Sequence, residues 1–128
     1  MRRLLLSFVL FLVVHAAPLA AQGPLDGRTY SVQIARKGTK TKVGTDELVF
    51  ADGKFRSAVR EALGFGETSY VAAGDAAKTT FTVQAKSAKQ GAMEWKGTIL
   101  GDTISGDMTW HRVRRTPVRF WFKGALKK

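Results

Sequence analysis

The sequence predicts an all-β protein: an eight-stranded antiparallel up-and-down meander that forms a small barrel or a curled sheet, with one short helical turn near residues 58–63. Three observations support this prediction. After Gly27, apolar side chains alternate with polar ones through most of the chain, which is typical of strands with one buried face. Short turn sequences rich in glycine and aspartate separate these segments. Hairpins drawn at those turns place apolar residues opposite apolar residues.

The first hairpins follow from alternation and from one turn dipeptide. Tyr30, Val32 and Ile34 alternate with polar or small neighbours and predict the first strand. Asp52–Gly53 is a common two-residue hairpin turn, and it places Phe50 opposite Phe55.

One segment departs from the strand pattern. Ser57 has a side chain suited to a helix N-cap, residues 58–63 favour helix, and Gly64 suits the position just after a helix end. We therefore expect one or two helical turns between the third and fourth strands.

The central strands are predicted by two further turns. A three-residue loop at 88–90 places Val83 opposite Trp95 and lays Phe81 over Gly97. A two-residue loop at Gly101–Asp102 gives the pairs Leu100–Thr103, Ile99–Ile104, Gly97–Gly106, Trp95–Met108 and Met93–Trp110. A slip of one residue would move every apolar side chain to the wrong face, so the agreement supports this register.

Residues 1–21 have the layout of a secretory signal peptide. Arg2 and Arg3 precede an apolar run over 4–14, and small residues lead to Ala21. The run would span roughly 16 Å as a helix, against a hydrocarbon core of about 30 Å, so an uncleaved membrane anchor is the weaker alternative. We expect cleavage after Ala21, export to the periplasm or the extracellular space, and one soluble domain over 22–128.

Charge and cysteine content limit the function classes. The chain has 21 Lys and Arg against ten Asp and Glu, a formal net charge of +11, and no cysteine. Without cysteine the domain must be stabilised by packing alone, without disulfides or a thiol-linked lipid. The positive charge favours an anionic partner but does not identify one.

The residues needed for catalysis or metal binding are sparse. His111 is the single histidine outside the predicted leader, and its sequence neighbours are Trp110 and Arg112. Cationic neighbours disfavour the imidazolium that a catalytic triad base must form. The carboxylates show no metal-ligand spacing or glycosidase pair. We therefore expect a non-enzymatic protein without a metal or cofactor.

The C-terminal segment carries the candidate anion-binding site. No acidic residue follows Asp107, and alternation on the last strand sends Val118, Phe120 and Phe122 inward and their neighbours outward. The candidate residues are Arg112, Arg114, Arg115, Arg119, Trp121 and Lys123. A second basic cluster occupies the loop after the first strand: Arg36, Lys37, Lys40 and Lys42.

Phosphate or carboxylate groups of an envelope polysaccharide, or anionic lipid headgroups, are the partners that this surface predicts. A nucleic acid is not the expected partner, because an exported protein seldom meets one, and we expect a monomer. Two simpler alternatives stay open. The stems of Arg119 and Lys123 could merely shield Trp121 from water, and the basic surface could serve only solubility.

One stretch resembles a known group of proteins. The run Trp95-x-Gly-Thr-x-x-Gly-Asp-x-Ile-x-Gly-x-Met-x-Trp110, after the opening Leu25-Asp26-Gly27-Arg28-Thr29-Tyr30, resembles small exported bacterial calycin-like (lipocalin-like) β-barrel proteins, a largely uncharacterised group. The resemblance implies an alternative function as a carrier of a small apolar ligand inside the barrel. The candidate pocket for that ligand is formed by Phe81, Trp95, Gly97, Gly106 and Trp110. The many large aromatic residues favour a mainly filled interior.

Overall fold

A computed structural model describes residues 23–38 and 43–128. The predicted signal peptide, 1–21, and the loop residues Lys40 and Lys42 lie outside the described residues. Within the described part of the chain, no helix is long and apolar enough to cross a membrane.

The chain forms a closed antiparallel barrel of eight strands, as the sequence predicts. Each strand pairs with the next along the chain, and the last strand pairs with the first. This up-and-down barrel is consistent with a calycin-like fold. The elements are β1 (Arg28–Arg36), β2 (Gly44–Ala51), β3 (Lys54–Ser57), α1 (Ala58–Glu61), β4 (Thr68–Gly74), β5 (Lys78–Ser87), β6 (Gly91–Leu100), β7 (Thr103–His111) and β8 (Val118–Leu126).

The predicted hairpin registers are confirmed. Phe50 pairs with Phe55, and all five pairs drawn from the Gly101–Asp102 loop occur between β6 and β7. Phe81 pairs with Gly97 across β5 and β6. At the turn between β2 and β3, Asp52 and Gly53 both have positive φ angles, 54° and 71°. A two-residue hairpin turn requires this backbone conformation.

The helical turn is confirmed but is shorter than the sequence suggests. Ser57 is the N-cap, and its hydroxyl accepts a 3.2 Å hydrogen bond from the Arg60 N–H. The helix ends at Glu61, and the chain continues in a turn to Gly64, whose φ is +91°.

The connections between strands alternate between the two ends of the barrel. The β1–β2, β3–β4, β5–β6 and β7–β8 connections lie at one end, which includes α1 and is called the helical end. The three tight turns β2–β3, β4–β5 and β6–β7 lie at the other, the hairpin end, with segment 23–27 and the C-terminal residues Lys127 and Lys128.

Aromatic rings fill the interior. Phe50 makes edge contacts with Tyr30, Tyr70 and Phe81, at centroid distances between 5.0 and 6.0 Å. Trp95, 1% exposed, continues the packing to Phe122, 5.4 Å away. Eight strands enclose a space that side chains can fill, and here they do so along the barrel axis.

Candidate anion-binding surface

A cationic pocket lies at the helical end, between the β5–β6 and β7–β8 connections. Its volume is about 280 Å³. It is lined by Lys89, Gln90, Trp110, Arg112, Val113 and Arg115. In the described part of the chain, no carboxylate forms an ion pair with any of its three cations. The pocket therefore combines an aromatic wall with uncompensated positive charge.

The β7–β8 connection holds Arg112 in place. The Nε and Nη2 atoms of Arg112 donate hydrogen bonds to the Thr116 carbonyl at 3.3 and 2.8 Å. Arg114 adopts a left-handed backbone, φ 56°, which is uncommon for a residue with a side chain. The folded loop presents Arg112 and Arg115 to the pocket while Arg114 stays exposed outside its lining.

Trp110 contacts both the β5–β6 and the β7–β8 connections. Its Nε1 donates a 2.7 Å hydrogen bond to the Gln90 carbonyl, and Arg112 Cζ lies 5.9 Å from its ring centroid. Phe65, from the segment after α1, packs edge-on against the same ring at 6.5 Å. The tryptophan is thus a rigid wall of the pocket rather than part of the deep interior.

The outer face of β8 carries the other predicted residues. Arg119 and Lys123 are exposed, and Trp121 is half-buried. Lys123 Nζ lies 5.4 Å from the Trp121 ring centroid. Trp121 on β8 is the cross-strand partner of Ala35 on β1, the pair of strands that closes the barrel. Ala35 is buried although it lies on the outer face. The ring therefore rests on the barrel wall with Lys123 beside it.

Carboxylates share this outer wall. Asp107 is the cross-strand partner of Trp121, and Lys37 Nζ lies 2.6 Å from its Oδ1. Glu94 and Asp107 line a shallow cavity of about 330 Å³ together with Arg119. The wall around Trp121 is consequently mixed in sign, whereas the pocket at the helical end is purely cationic.

The six predicted residues fall into two groups. Arg112 and Arg115 meet in the cationic pocket, with Arg114 nearby in the same connection, and Arg119, Trp121 and Lys123 lie along β8. Sequence reasoning missed Lys89, which is more than twenty residues away in the chain. Assigning each connection to one end of the meander would have placed Lys89 beside the arginines.

The candidate interior pocket is divided in the structure. Phe81, Trp95, Gly97 and Gly106 are neighbours in the barrel wall and core, but Trp110 lies apart at the helical end. The space above Gly97 is occupied, because a Cβ atom there would lie 2.3 Å from Phe81 Cε1. A ring carbon of Phe122 also lies against Gly106.

A buried ion pair fastens α1 to β2. The Asp46 carboxylate is fully buried and accepts hydrogen bonds from the Ser57 hydroxyl, the Val59 N–H at 3.1 Å and Arg60 Nη1 at 3.3 Å. Burial lowers the pKa of the Arg60 guanidinium although attraction to Asp46 opposes this. The group is a structural anchor, because its hydrogen-bonding capacity is used within the protein.

The described residues contain no group of three or more His, Asp or Glu side chains that could hold a metal ion. His111 is exposed at the end of β7. Two further hollows are present. An open groove of about 990 Å³ lies between α1, where Ala58 and Val59 line it, and the outer faces of β2, β1, β8 and β7. A cavity of about 400 Å³ lies at the helical end beside Val59 and Phe120.

Comparison with family models, curated proteins and solved structures finds no match to this chain. The geometry of the barrel and of its surface is therefore the basis for assigning a function.

Proposed function

We propose that this protein is an exported, non-enzymatic β-barrel that binds phosphate or carboxylate groups of the cell envelope through its basic and aromatic C-terminal surface. The observation that carries the proposal is the cationic pocket, in which Lys89, Arg112 and Arg115 converge without a paired carboxylate. Lipid headgroups and acidic polysaccharides share this ligand chemistry.

The geometry of the pocket suits such a ligand. A volume of about 280 Å³ accommodates a phosphate with an attached glycerol or sugar fragment rather than a large apolar molecule. Guanidinium groups bind phosphate and carboxylate oxygens with charge-assisted hydrogen bonds. The Trp110 ring offers a flat face to the carbon atoms of the ligand.

The wall of β8 supplies a second contact region. Trp121 can pack against a sugar ring or a headgroup, with Arg119 and Lys123 on either side. Because Asp107 partly neutralises this wall, we assign it a supporting role and the pocket the main one.

The alternative function is a lipocalin-like carrier of a small apolar ligand. A closed eight-stranded barrel is compatible with binding a small ligand, and the cavity beside Phe120 would offer an entrance. The packed rings of Phe81, Trp95 and Phe122 leave the first proposal better supported. Saturable tryptophan quenching by a fatty acid, lost in Gly97→Val, would favour the carrier.

Co-sedimentation tests the proposed function. Phosphatidylglycerol vesicles, lipopolysaccharide and an acidic polysaccharide serve as separate probes, each at low and at physiological salt. We expect salt-sensitive binding to at least one probe, because clustered charges remain effective over a Debye length of about 8 Å. The Lys89→Ser/Arg112→Ser/Arg115→Ser variant should lose most of it, and Arg119→Ser/Trp121→Ala a smaller part.

The control is a variant with the same change in net charge at the hairpin end, Lys78→Ser/Lys127→Ser/Lys128→Ser. It should bind as the wild type does. Equal binding by the pocket variant and the wild type would show that the proposed site is wrong. Hydrolysis of envelope substrates by the purified protein, abolished in His111→Ala, would contradict the non-enzymatic assignment.

A further inference from the structure

Exposed apolar side chains are concentrated at the helical end of the barrel. Six large apolar residues in the described chain are substantially exposed, and four of them lie in the helical-end connections: Val43 at 44%, Val59 at 45%, Leu63 at 43% and Val113 at 56%. The other two, Val71 and Leu100, lie on the β4 wall and next to a hairpin-end turn.

Charge is divided between the two ends in the same way. In their described residues, the helical-end connections carry six cations, Lys37, Arg60, Lys89, Arg112, Arg114 and Arg115, against the carboxylates Glu61 and Glu67. Arg60 is paired with the buried Asp46 and Lys37 with Asp107, so the β5–β6 and β7–β8 connections hold the four cations that face a partner. The segments of the hairpin end carry four carboxylates, Asp26, Asp52, Asp75 and Asp102, against Lys127 and Lys128, and three cations that begin strands there, Arg28, Lys54 and Lys78, flank them. The excess of cations over carboxylates therefore lies at the helical end.

The apolar side chains are presented by well-anchored segments. Val59 and Leu63 belong to the turn region that Asp46 fastens to β2, where the Val59 N–H donates to its carboxylate. Val113 follows Arg112, whose guanidinium is bonded to the Thr116 carbonyl. Phe65 lies beneath this region, is only 2% exposed and closes the end of the barrel. The core is therefore complete without the exposed side chains of Val59, Leu63 and Val113.

We infer that the helical end is a membrane-docking face, which lies against an anionic lipid bilayer with its apolar side chains among the headgroups and its cations at the phosphates. This inference rests on the proposed function, since it uses the cationic pocket, and it names a bilayer as the partner. Interfacial binding of this kind combines buried apolar area with attraction to anionic lipid. Because the excess of cations and most of the exposed large apolar side chains lie at the helical end, the barrel stands end-on.

The apolar side chains are the reason to prefer a bilayer to a hydrated polysaccharide. Sugar chains and free phosphate can satisfy Arg112 and Arg115, but they offer no apolar phase for Leu63 or Val113. A bilayer satisfies both kinds of group on one face.

The first experiment measures binding to vesicles of equal parts phosphatidylglycerol and phosphatidylcholine, and to phosphatidylcholine alone. We expect the wild type to bind the anionic vesicles, and Val59→Ser/Leu63→Ser/Val113→Ser to bind them roughly tenfold more weakly with its charge unchanged. The matched control, Val71→Ser/Leu100→Ser, should bind as the wild type does.

A second measurement reports insertion directly. Val113→Trp and Leu100→Trp each add one tryptophan, at the helical end and near the hairpin end. Brominated phosphatidylglycerol should quench the added fluorescence of Val113→Trp and leave that of Leu100→Trp unchanged.

The outcomes separate the two proposals. If no anionic probe binds the wild type, the proposed function fails and the docking face with it. If the wild type binds anionic polymers or vesicles but the serine variant binds equally well and Val113→Trp is not quenched, only the docking face is overturned. If lipid-free acidic polysaccharide binds and vesicles do not, the partner is a glycan and the inference is wrong.

Discussion

The Tyr70 phenol donates a 2.8 Å hydrogen bond to Asp26 Oδ1, and its oxygen accepts one from the Leu25 N–H at 3.0 Å. The same carboxylate accepts from the Gly23 and Gly53 N–H groups. These bonds fasten the segment before β1 across the hairpin end, where Leu25 is 1% exposed and joins the core. A pair of residues 44 positions apart thus closes one end of the barrel.

Removing the phenol should loosen this closure. In Tyr70→Phe the buried Leu25 N–H loses its acceptor, so we expect the free energy of unfolding to fall by about 1–2 kcal/mol. Urea denaturation measures it. Tyr30→Phe is the matched control, because its hydroxyl only accepts a 3.3 Å bond from the Arg28 side chain, and its stability should change little. Equal stability of Tyr70→Phe and wild type would contradict the closure.

Stability should also fall at alkaline pH through Tyr70. Burial, helped by the hydrogen bond to Asp26, raises the pKa of Tyr70 to about 12 from 10.0. The neutral phenol is favoured in the folded state, so its contribution is complete below pH 10 and is lost as the pH rises towards 12. Thermal melts of wild type and Tyr70→Phe between pH 9 and 12 should converge. Parallel curves across that range would show that this phenol is not responsible.

Stability should also fall at acidic pH, through the hydrogen-bonding partner of Tyr70, Asp26. Burial alone raises the pKa of Asp26, but hydrogen bonds from Gly23, Tyr70 and Gly53 outweigh it and hold the pKa below 3.8. The carboxylate therefore contributes stability above pH 3.8, and that contribution is lost as the pH falls below this value. In melts from pH 5 to 2, Asp26→Asn should show a smaller decline than the wild type; an identical decline would refute this.

Breaking the buried Asp46–Arg60 pair should be costly. In Asp46→Ala the Arg60 guanidinium keeps its buried position without a partner, so we expect a loss of about 3 kcal/mol in unfolding free energy. The exposed Arg56–Glu61 pair gives the control, since Glu61→Gln should stay within about 0.5 kcal/mol of wild type. Asp46→Leu/Arg60→Met should recover part of the loss, because it removes both charges; no recovery would point to a role beyond the pair.

Overpacking at Gly97 tests the filled interior. A Cβ atom there would lie 2.3 Å from Phe81 and 3.1 Å from Phe122, so Gly97→Ala should destabilise the protein by about 1–3 kcal/mol. Gly66→Ala is the control, because nothing lies within 4 Å of a Cβ atom at that position. Chemical denaturation of both variants measures the difference. A neutral Gly97→Ala would indicate free space in the interior and support the carrier alternative.

Much of the fold could be predicted because its determinants are local. The two-residue period of the apolar side chains and the positive φ at Asp52 and Gly53 are properties of short segments. They were sufficient for the register of three hairpins, and the side chain of Ser57 before a helix-favouring segment was sufficient for the N-cap. The candidate site was predictable only in part. Arg112 and Arg115 are close in the sequence, but Lys89 joins them through the stacking of two connections at one end.

The sequence by itself determined the strands, their turns and which face of each strand is apolar, since these follow from alternation and turn chemistry within a few residues. Only the tertiary structure decided how the barrel is closed and what surrounds the candidate residues. Leu25 and Phe65 lie outside the strands, so no periodicity marks them as core, and each is buried because it covers an open end of the barrel. Likewise, Trp121 meets Asp107 on one side and Ala35 on the other because β8 pairs with both β7 and β1. Closure brings together residues that are distant along the chain, and the period of a single strand carries no information about its neighbours.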